Sequence, residues 1–417
     1  MKPPNNNTPP QGYRMTELGA LPEEWEVVSF ESCIIKKNFK AKKIKQQDYK
    51  PYGKYPVIDQ GQNMIAGYWD NKNEVFGENL PVIIFGDHTR IIKYIDFPFV
   101  PGADGTRILI PNISFISPKF FYYSLLNLKI PSRGYNRHFS LLREQKIPLP
   151  PLAEQQKIAA VLSAVQEAKE KTEAVISATK AIKKSMMKHL FTYGPVSPEE
   201  TETVLLKETE IGPVPEDWHV VRLGEVAEKV KQKDPRRDPI HEFKYIDVSA
   251  ISNDLLKITS YSEFLGKDAP HRARKAIQTN DIIFATVRPY LKRIAMVPEN
   301  LNGQIASTAF CVIHCQKQIA NPYYIFYTVS LDNFIKGVSE NQRGSSYPAV
   351  TDKDILNQYI PLPPLPIQQK IASILSAIDA KIEAEENKKQ ALEELFKTLL
   401  DNLMTAKIRV NHLEVPS

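Results

Sequence analysis

IPLPPLAEQQKIAAVLSAV, Ile147 to Val165, returns 213 residues later as IPLPPLPIQQKIASILSAI, Ile360 to Ile378. In each copy the proline block stops the preceding segment and can open a helix. No Gly or Pro then appears until Gly194 after the first copy, or until Pro416 after Pro366 in the second. The pattern predicts two long helices. In the first, apolar or small residues fall at Ile158, Val161, Val165, Ala168, Thr172, Val175, Thr179, Ile182 and Met186, a 3-4 spacing that reads as a coiled-coil seam. In the second, Ile371, Leu375, Ile378, Ile382, Leu392, Phe396, Leu399 and Leu403 keep the same period, with Glu385 and Lys389 interrupting its middle. Helices of about 36 to 40 residues span roughly 55 to 60 Å at 1.5 Å per residue. Alone in water each would be marginal, so the two are expected to pair with each other or with a partner.

Working outward, the rest of the chain is duplicated too. ELGALPEEWEVVSF from Glu17 returns as EIGPVPEDWHVVRL from Glu210, and VIIF at Val82 as DIIF at Asp281. Thr106 aligns with Thr308, PKFFYYSLL from Pro118 with PYYIFYTVS from Pro322, and Arg133-Gly134 with Arg343-Gly344. The offset climbs from 193 to 213 without reversing, as expected for one unit repeated in order with longer loops in its second copy. The ends of the repeat match closely while the middles share scattered apolar positions, so a common scaffold carries different surfaces.

The predicted class is mixed α/β: two small globules, each followed by a long helix. The divisions are 1–16 as a disordered leader, 17–150 as the first globule, 151–192 as the first helix and 193–209 as an acidic linker. Then come 210–363 as the second globule, 364–407 as the second helix and 408–417 as a tail. The 417 residues are 42% hydrophobic and 24% charged, which excludes collagen-like, wholly disordered and membrane classes. Three cysteines, Cys33, Cys311 and Cys315, are too few and too unevenly spaced for a disulfide framework and point to a cytoplasmic setting. The net charge of +6 permits a polyanionic partner, and residues 1–150, with 20 basic against 14 acidic side chains, carry much of it.

Catalytic signatures are weak. There is no GxGxxG or GxxxxGK[ST] phosphate cradle, and Asn321-Pro322-Tyr323-Tyr324 lacks the second proline of an NPPY segment. Cys311, His314 and Cys315 sit in an apolar AFCVIHC run that reads as a strand rather than a metal site. Basic residues instead interleave with amides and aromatics in both globules. KKNFKAKKIK, GDHTRIIK and SRGYNRH lie in the first, and KVKQKDPRR, HRARK, VRPYLKR and ENQRGSSY in the second. Arg can grip guanine, and Asn or Gln adenine, with two hydrogen bonds, while Lys suits phosphates. Trp25 and Trp218, and the tyrosines at 122, 123, 323, 324 and 327, read as packing residues.

LPEEWEVVSF and VPEDWHVVRL, DIIFATVRPYLKR, GSSYPAV at Gly344 to Val350, and the twin IPLPPL and QQKIA segments together resemble the DNA specificity subunits of type I restriction and modification systems. The resemblance covers nearly the whole chain. It implies two target recognition domains, with the helices forming an antiparallel coiled coil about a pseudo-two-fold axis. It further implies a non-catalytic chain that reads a bipartite, asymmetric double-stranded DNA target. Two methyltransferase subunits using S-adenosylmethionine would dock on it, and restriction subunits would add ATP- and Mg-dependent steps, with no cofactor on this chain. The residues expected at DNA are His88, Arg90, Arg133, Asn136, Arg137 and His138 in the first domain. In the second they are Arg288, Lys292, Arg293, Arg343, Ser345 and Ser346. The competing reading is a coiled-coil scaffold that reads no bases.

Overall fold

The computed structural model describes residues 9–36, 42–132, 134, 136–344 and 346–413. The chain forms two compact units, one built from residues up to Glu173 together with those from Glu386 onward, the other from Ala174 to Glu385. Both are mixed α/β.

In the first unit the strand Val82–Gly86 lies between Ile92–Ile95 and Thr106–Leu109, antiparallel to both. Successive side chains of a strand point to opposite faces. Ile83 and Phe85 accordingly join a cluster with Trp25, Phe30, Phe120 and Phe121, while Val82 and Ile84 join another with Ile58, Phe76 and Phe99. Both faces are covered, which is why VIIF is continuously apolar. Tyr55–Ile58 forms a second small sheet between Gly67–Trp69 and Val100–Pro101.

The second unit repeats the scheme. Ile282–Ala285 lies between Ile294–Met296 and Phe310–Cys315. Ile282 and Phe284 pack with Trp218 and Tyr324, and Ile283 and Ala285 with Ile246 and Phe310. Its accessory sheet is larger, four strands in the order Ser262–Leu265, Glu242–Ile246, Ile305–Ser307, Ala273–Ala276. Trp25 and Trp218 are buried anchors, as are Tyr123, Tyr324 and Tyr327, whereas Tyr323 is exposed.

The long helices run Leu152–Tyr193 and Leu365–Met404. Each is fastened to its preceding globule by one buried glutamine of the duplicated QQKIA segment. Gln155 accepts from the Ser117 amide at 2.8 Å and donates to the Phe115 and Pro150 carbonyls at 3.0 and 2.9 Å. Gln368 accepts from the Asn321 amide at 2.8 Å and donates to the Ile319 and Pro363 carbonyls at 2.9 and 2.8 Å. Ser117 and Asn321 each precede the short helix that begins at Pro118 or Pro322.

Within the first unit Lys169 pairs with Glu393 and Glu173 with Lys389, so partners descend along the second helix as they ascend along the first. Within the second unit Lys183 pairs with Asp379. Ile158, Ile371, Leu375 and Ile382 are buried, and Val161, Val165, Ile378, Leu392 and Leu399 are half-buried. The 3-4 reading is corrected at two positions: Val175 and Ile182 are 40% and 56% exposed, and Ile176 is buried instead. Residues 158, 162, 165, 169, 172, 176, 179, 183, 186 and 190 form the inward row. That row shares every second member with the expected one and places Lys169 and Lys183 where apolar residues were expected. Apolar neighbours at 161 and 162, and at 175 and 176, fit either phase, and Ala168 and Ile182 against Lys169 and Lys183 favour the expected one by periodicity alone.

The leader and linker also depart from expectation. Tyr13–Thr16 is a strand paired with Gly19–Pro22, and the Tyr13 hydroxyl donates to the Ala406 carbonyl at 2.9 Å. Residues 1–8 lie outside the described set. In the linker, Pro198–Thr203 forms a 3₁₀ turn and Leu206–Lys207 pairs with Val214–Pro215. Ser197 starts that turn by donating its amide to the Glu200 carboxylate, so acidic composition here serves a cap. Within the tail, Arg409 bonds Glu154 at 2.7 and 2.8 Å and Glu24 at 2.6 Å, while the Trp25 indole donates to Glu154.

Replacing Gln155 or Gln368 by Ala leaves one amide and two carbonyls without their partner. We expect a loss of about 2–4 kcal/mol, read as a lowered unfolding midpoint. Ile176→Ala should cost about 2–5 kcal/mol and Ile182→Ala under about 0.5 kcal/mol; equal losses would restore the original seam.

Candidate nucleic-acid interface

Each central strand is followed directly by a residue that ties three loops together through its backbone. In the second unit this residue is Thr286. Its amide donates to the Ala309 carbonyl at 2.8 Å, and its carbonyl accepts from the Val350 amide at 2.9 Å. Arg288 follows in the left-handed region, φ 50°, with its amide on the Pro348 carbonyl at 2.8 Å. Its guanidinium lies 5.4 Å over the Tyr347 ring, and Nη2 donates to the Ser346 carbonyl at 3.4 Å. Arg343 and Ala349 exchange two backbone hydrogen bonds, and the exposed Arg343 side chain forks to Asp354 at 3.2 and 3.4 Å.

Arg288, Arg343 and Ser346 are therefore brought together at one loop pair, and Tyr347, against the Arg288 guanidinium, is 74% exposed. Lys292 and Arg293 are held elsewhere. Lys292 forms an ion pair with Asp332, whose carboxyl is held below the ordinary range by that hydrogen bond and charge. Arg293 donates to the Val248 carbonyl at 2.8 Å, a bond that braces the scaffold. Ser345 lies outside the described residues.

The first unit uses the same backbone scheme around Asp87. Its amide donates to the Gly105 carbonyl and its carbonyl accepts from the His138 amide, both at 2.8 Å. Gly105 thus corresponds to Ala309, shifting the Thr106 and Thr308 alignment by two residues, and His138 corresponds to Val350. Expected at DNA, His138 is instead fully buried with Nδ1 3.0 Å from the Asp87 carbonyl, the place an apolar valine takes in the other unit. Arg90, φ 63°, donates to the Ile130 carbonyl at 2.8 Å and so spans two loops. The His88 amide donates to Gln60 Oε1 at 3.1 Å, and the His88 side chain is half-buried. Asn136 and Arg137 are exposed, and Arg133 lies outside the described residues.

Three neighbours escaped the sequence reading of this site. Asp87 is fully buried. Burial alone would raise its pKa, but the Phe139 amide at 2.8 Å, Arg107 Nε and Nη2 at 3.2 and 3.0 Å, and the His138 amide outweigh it and hold the carboxyl below its ordinary range. Lys43 donates to the Thr106 carbonyl at 2.7 Å, and burial followed by the Arg107 charge lowers its pKa. In sequence Lys43 reads as one member of a solvated Lys run, and Arg107 stands beside a residue that served only as a repeat landmark. In the second unit Asp281 accepts from His314 Nδ1 at 2.5 Å, and both cysteines of that run are buried. Among the described residues no cluster of three or more His, Cys, Asp or Glu could hold a metal, and no helix is long and apolar enough to cross a membrane.

What this arrangement offers is two duplicated α/β scaffolds with differing arginine, amide and aromatic tips. Type I restriction modification DNA specificity domain is the description of the family profile that matches residues 22–178 and again 215–394, and the chain belongs to that family. A putative type I restriction enzyme MjaX specificity subunit from Methanocaldococcus jannaschii is 29% identical, covering 96% of this chain and 97% of that one. The MjaVIII specificity subunit of the same organism is 27% identical over 94% of this chain and 95% of its own length. The crystal structure of a type I restriction-modification S subunit from M. genitalium superposes with a TM-score of 0.61 over 91% of this chain and 96% of that one, at 18% identity, a likeness of fold.

Because the folded carboxyl of Asp87 titrates below its unfolded value, its contribution to stability is present above the ordinary aspartate pKa of about 3.9 and is lost as pH falls through the lower folded value. Asp87→Asn should lower the melting temperature at pH 7, and the gap between variant and wild type should narrow towards pH 3. A gap independent of pH would remove the charge from this account.

Proposed function

We propose that this chain is the non-catalytic DNA-reading subunit of a type I restriction-modification complex, each globule reading one half of a bipartite, asymmetric double-stranded target. The observation that carries the reading is the common backbone scheme around Asp87 and Thr286 with unlike residues at matched positions. Equal scaffolds give equal placement of the loops, and unequal side chains give unequal base preferences. Residues 17–150 and 210–363 are the two target recognition domains on this reading. The long helices act as an antiparallel coiled coil that sets the unread gap, a role supported by the descending order of the Lys169–Glu393 and Glu173–Lys389 pairs and by Lys183–Asp379.

Two methyltransferase subunits dock on the helical part and supply S-adenosylmethionine, and restriction subunits supply the ATP- and Mg-dependent chemistry, all in the cytoplasm. DNA contact on the second domain rests with Arg288, Arg343 and Ser346, and on the first with His88, Asn136 and Arg137. The deciding experiment maps N6-methyladenine in cells expressing the chain with its cognate methyltransferase subunit, against cells lacking the chain. We expect one split, asymmetric motif; no chain-dependent motif despite confirmed assembly would leave a coiled-coil scaffold as the better reading. Arg343→Ala should relax discrimination within the second half-site alone, by about 1–3 kcal/mol.

A further inference from the structure

We propose that Arg107 reads a guanine in the half-site of the first domain, and that Asp87 is the residue that positions it. This rests on the DNA-reading function above and names a specificity determinant within it. Arg107 pairs with Phe85 across the antiparallel ladder, two positions before Asp87. Asp87 Oδ2 takes Nε and Nη2 of Arg107 at 3.2 and 3.0 Å, while Oδ1 takes the Phe139 amide at 2.8 Å. The Phe139 ring lies 5.1 Å from the guanidinium centre. One edge of the fork and one face of the plane are thus fixed by a buried carboxylate and an aromatic ring.

The remaining edge is different. No hydrogen bond occupies Nη1 among the described residues, and the side chain keeps 40% of its exposure. A guanidinium held on its Nε and Nη2 side leaves one N–H of Nη1 and one of Nη2 pointing away in parallel. Two adjacent acceptors in a plane match that edge, and guanine O6 and N7 in the major groove are such a pair. A phosphate is served equally well by a mobile cation, and the lysine beside Arg107, Lys43, is itself held on the Thr106 carbonyl within the same cationic surroundings. Fixing the arginine beforehand removes much of the entropy lost on contact, which favours orientation-dependent base reading over diffuse attraction.

The second domain lacks this device. The strand register sets Cys311 opposite Phe284 as Arg107 is set opposite Phe85, and the residue matching Asp87 is Thr286, whose hydroxyl donates to the Ala309 carbonyl at 3.0 Å. Cys311 is buried. The proposed guanine reader therefore belongs to one half of the target only.

The test assembles wild-type chain, Arg107→Lys, Arg107→Gln, Asp87→Asn and the Asp87→Asn/Arg107→Gln double variant with the cognate methyltransferase subunit. Melting temperature and gel filtration establish folding and assembly. Methylation rates are then measured on duplexes substituted one base pair at a time through both half-sites. We expect wild type to prefer G·C at one position of the first half-site, and both Arg107 variants to lose that preference by roughly 5- to 150-fold while the second half-site is read as before. Asp87→Asn should lose part of the same preference at the same position. The double variant should discriminate no worse than Arg107→Gln alone, as expected if Asp87 acts through Arg107. Unchanged discrimination in an assembled Arg107→Gln complex would overturn the assignment, and so would an equal loss at every position, which marks a phosphate contact. Wild type without any motif would remove the DNA-reading function and this inference with it.

Discussion

A single buried carboxamide, used twice, holds each long helix to its globule. Gln155 and Gln368 each fill the same three hydrogen-bonding positions: the amide just before a short helix, a carbonyl two residues earlier, and a carbonyl in the proline block. A buried amide or carbonyl without a partner is costly, so these residues fix the docking angle as well as adding stability.

The glutamines explain why the ends of the repeat stay alike while its middle diverges. Around Asp87 and Thr286 the loops are joined by backbone groups, and backbone bonds place few demands on side chains. A histidine ring on a carbonyl in one unit and a valine in the other satisfy the same place. Side chains at the loop tips can then change without disturbing the scaffold. The first unit uses this freedom for the Asp87–Arg107 pair, the second for the Arg288–Tyr347 stack.

The long helices show a comparable economy. Lys169, Lys183 and Lys389 occupy inward positions where aliphatic residues would pack more tightly, and each finds a carboxylate. These half-exposed pairs add little stability. Their value lies in register, since a shifted helix would leave lysines facing apolar neighbours.

Much of the architecture was legible in the residues: the ordered duplication, the mixed α/β class, the long helices free of Gly and Pro beyond their first turn, and Trp25 and Trp218 as anchors. Local patterns determined these because hydrophobic period and chain-breaking residues act over a few positions. Which helix face turns inward was not legible, because Val175 and Ile176 fit either phase while Lys169 and Lys183 argue for the other face, and only packing and ion pairing within each unit chose Ile176 over Val175. The site was legible as a set of arginine-rich loops, and no further. His138, Arg90, Lys292 and Arg293 each take a protein partner that the sequence does not show, as Arg343 does with Asp354, and Asp87 and Arg107 become neighbours through strand pairing. Composition set which side chains could meet a polyanion; only the tertiary structure, through strand pairing and loop closure, decided which protein groups each of them meets.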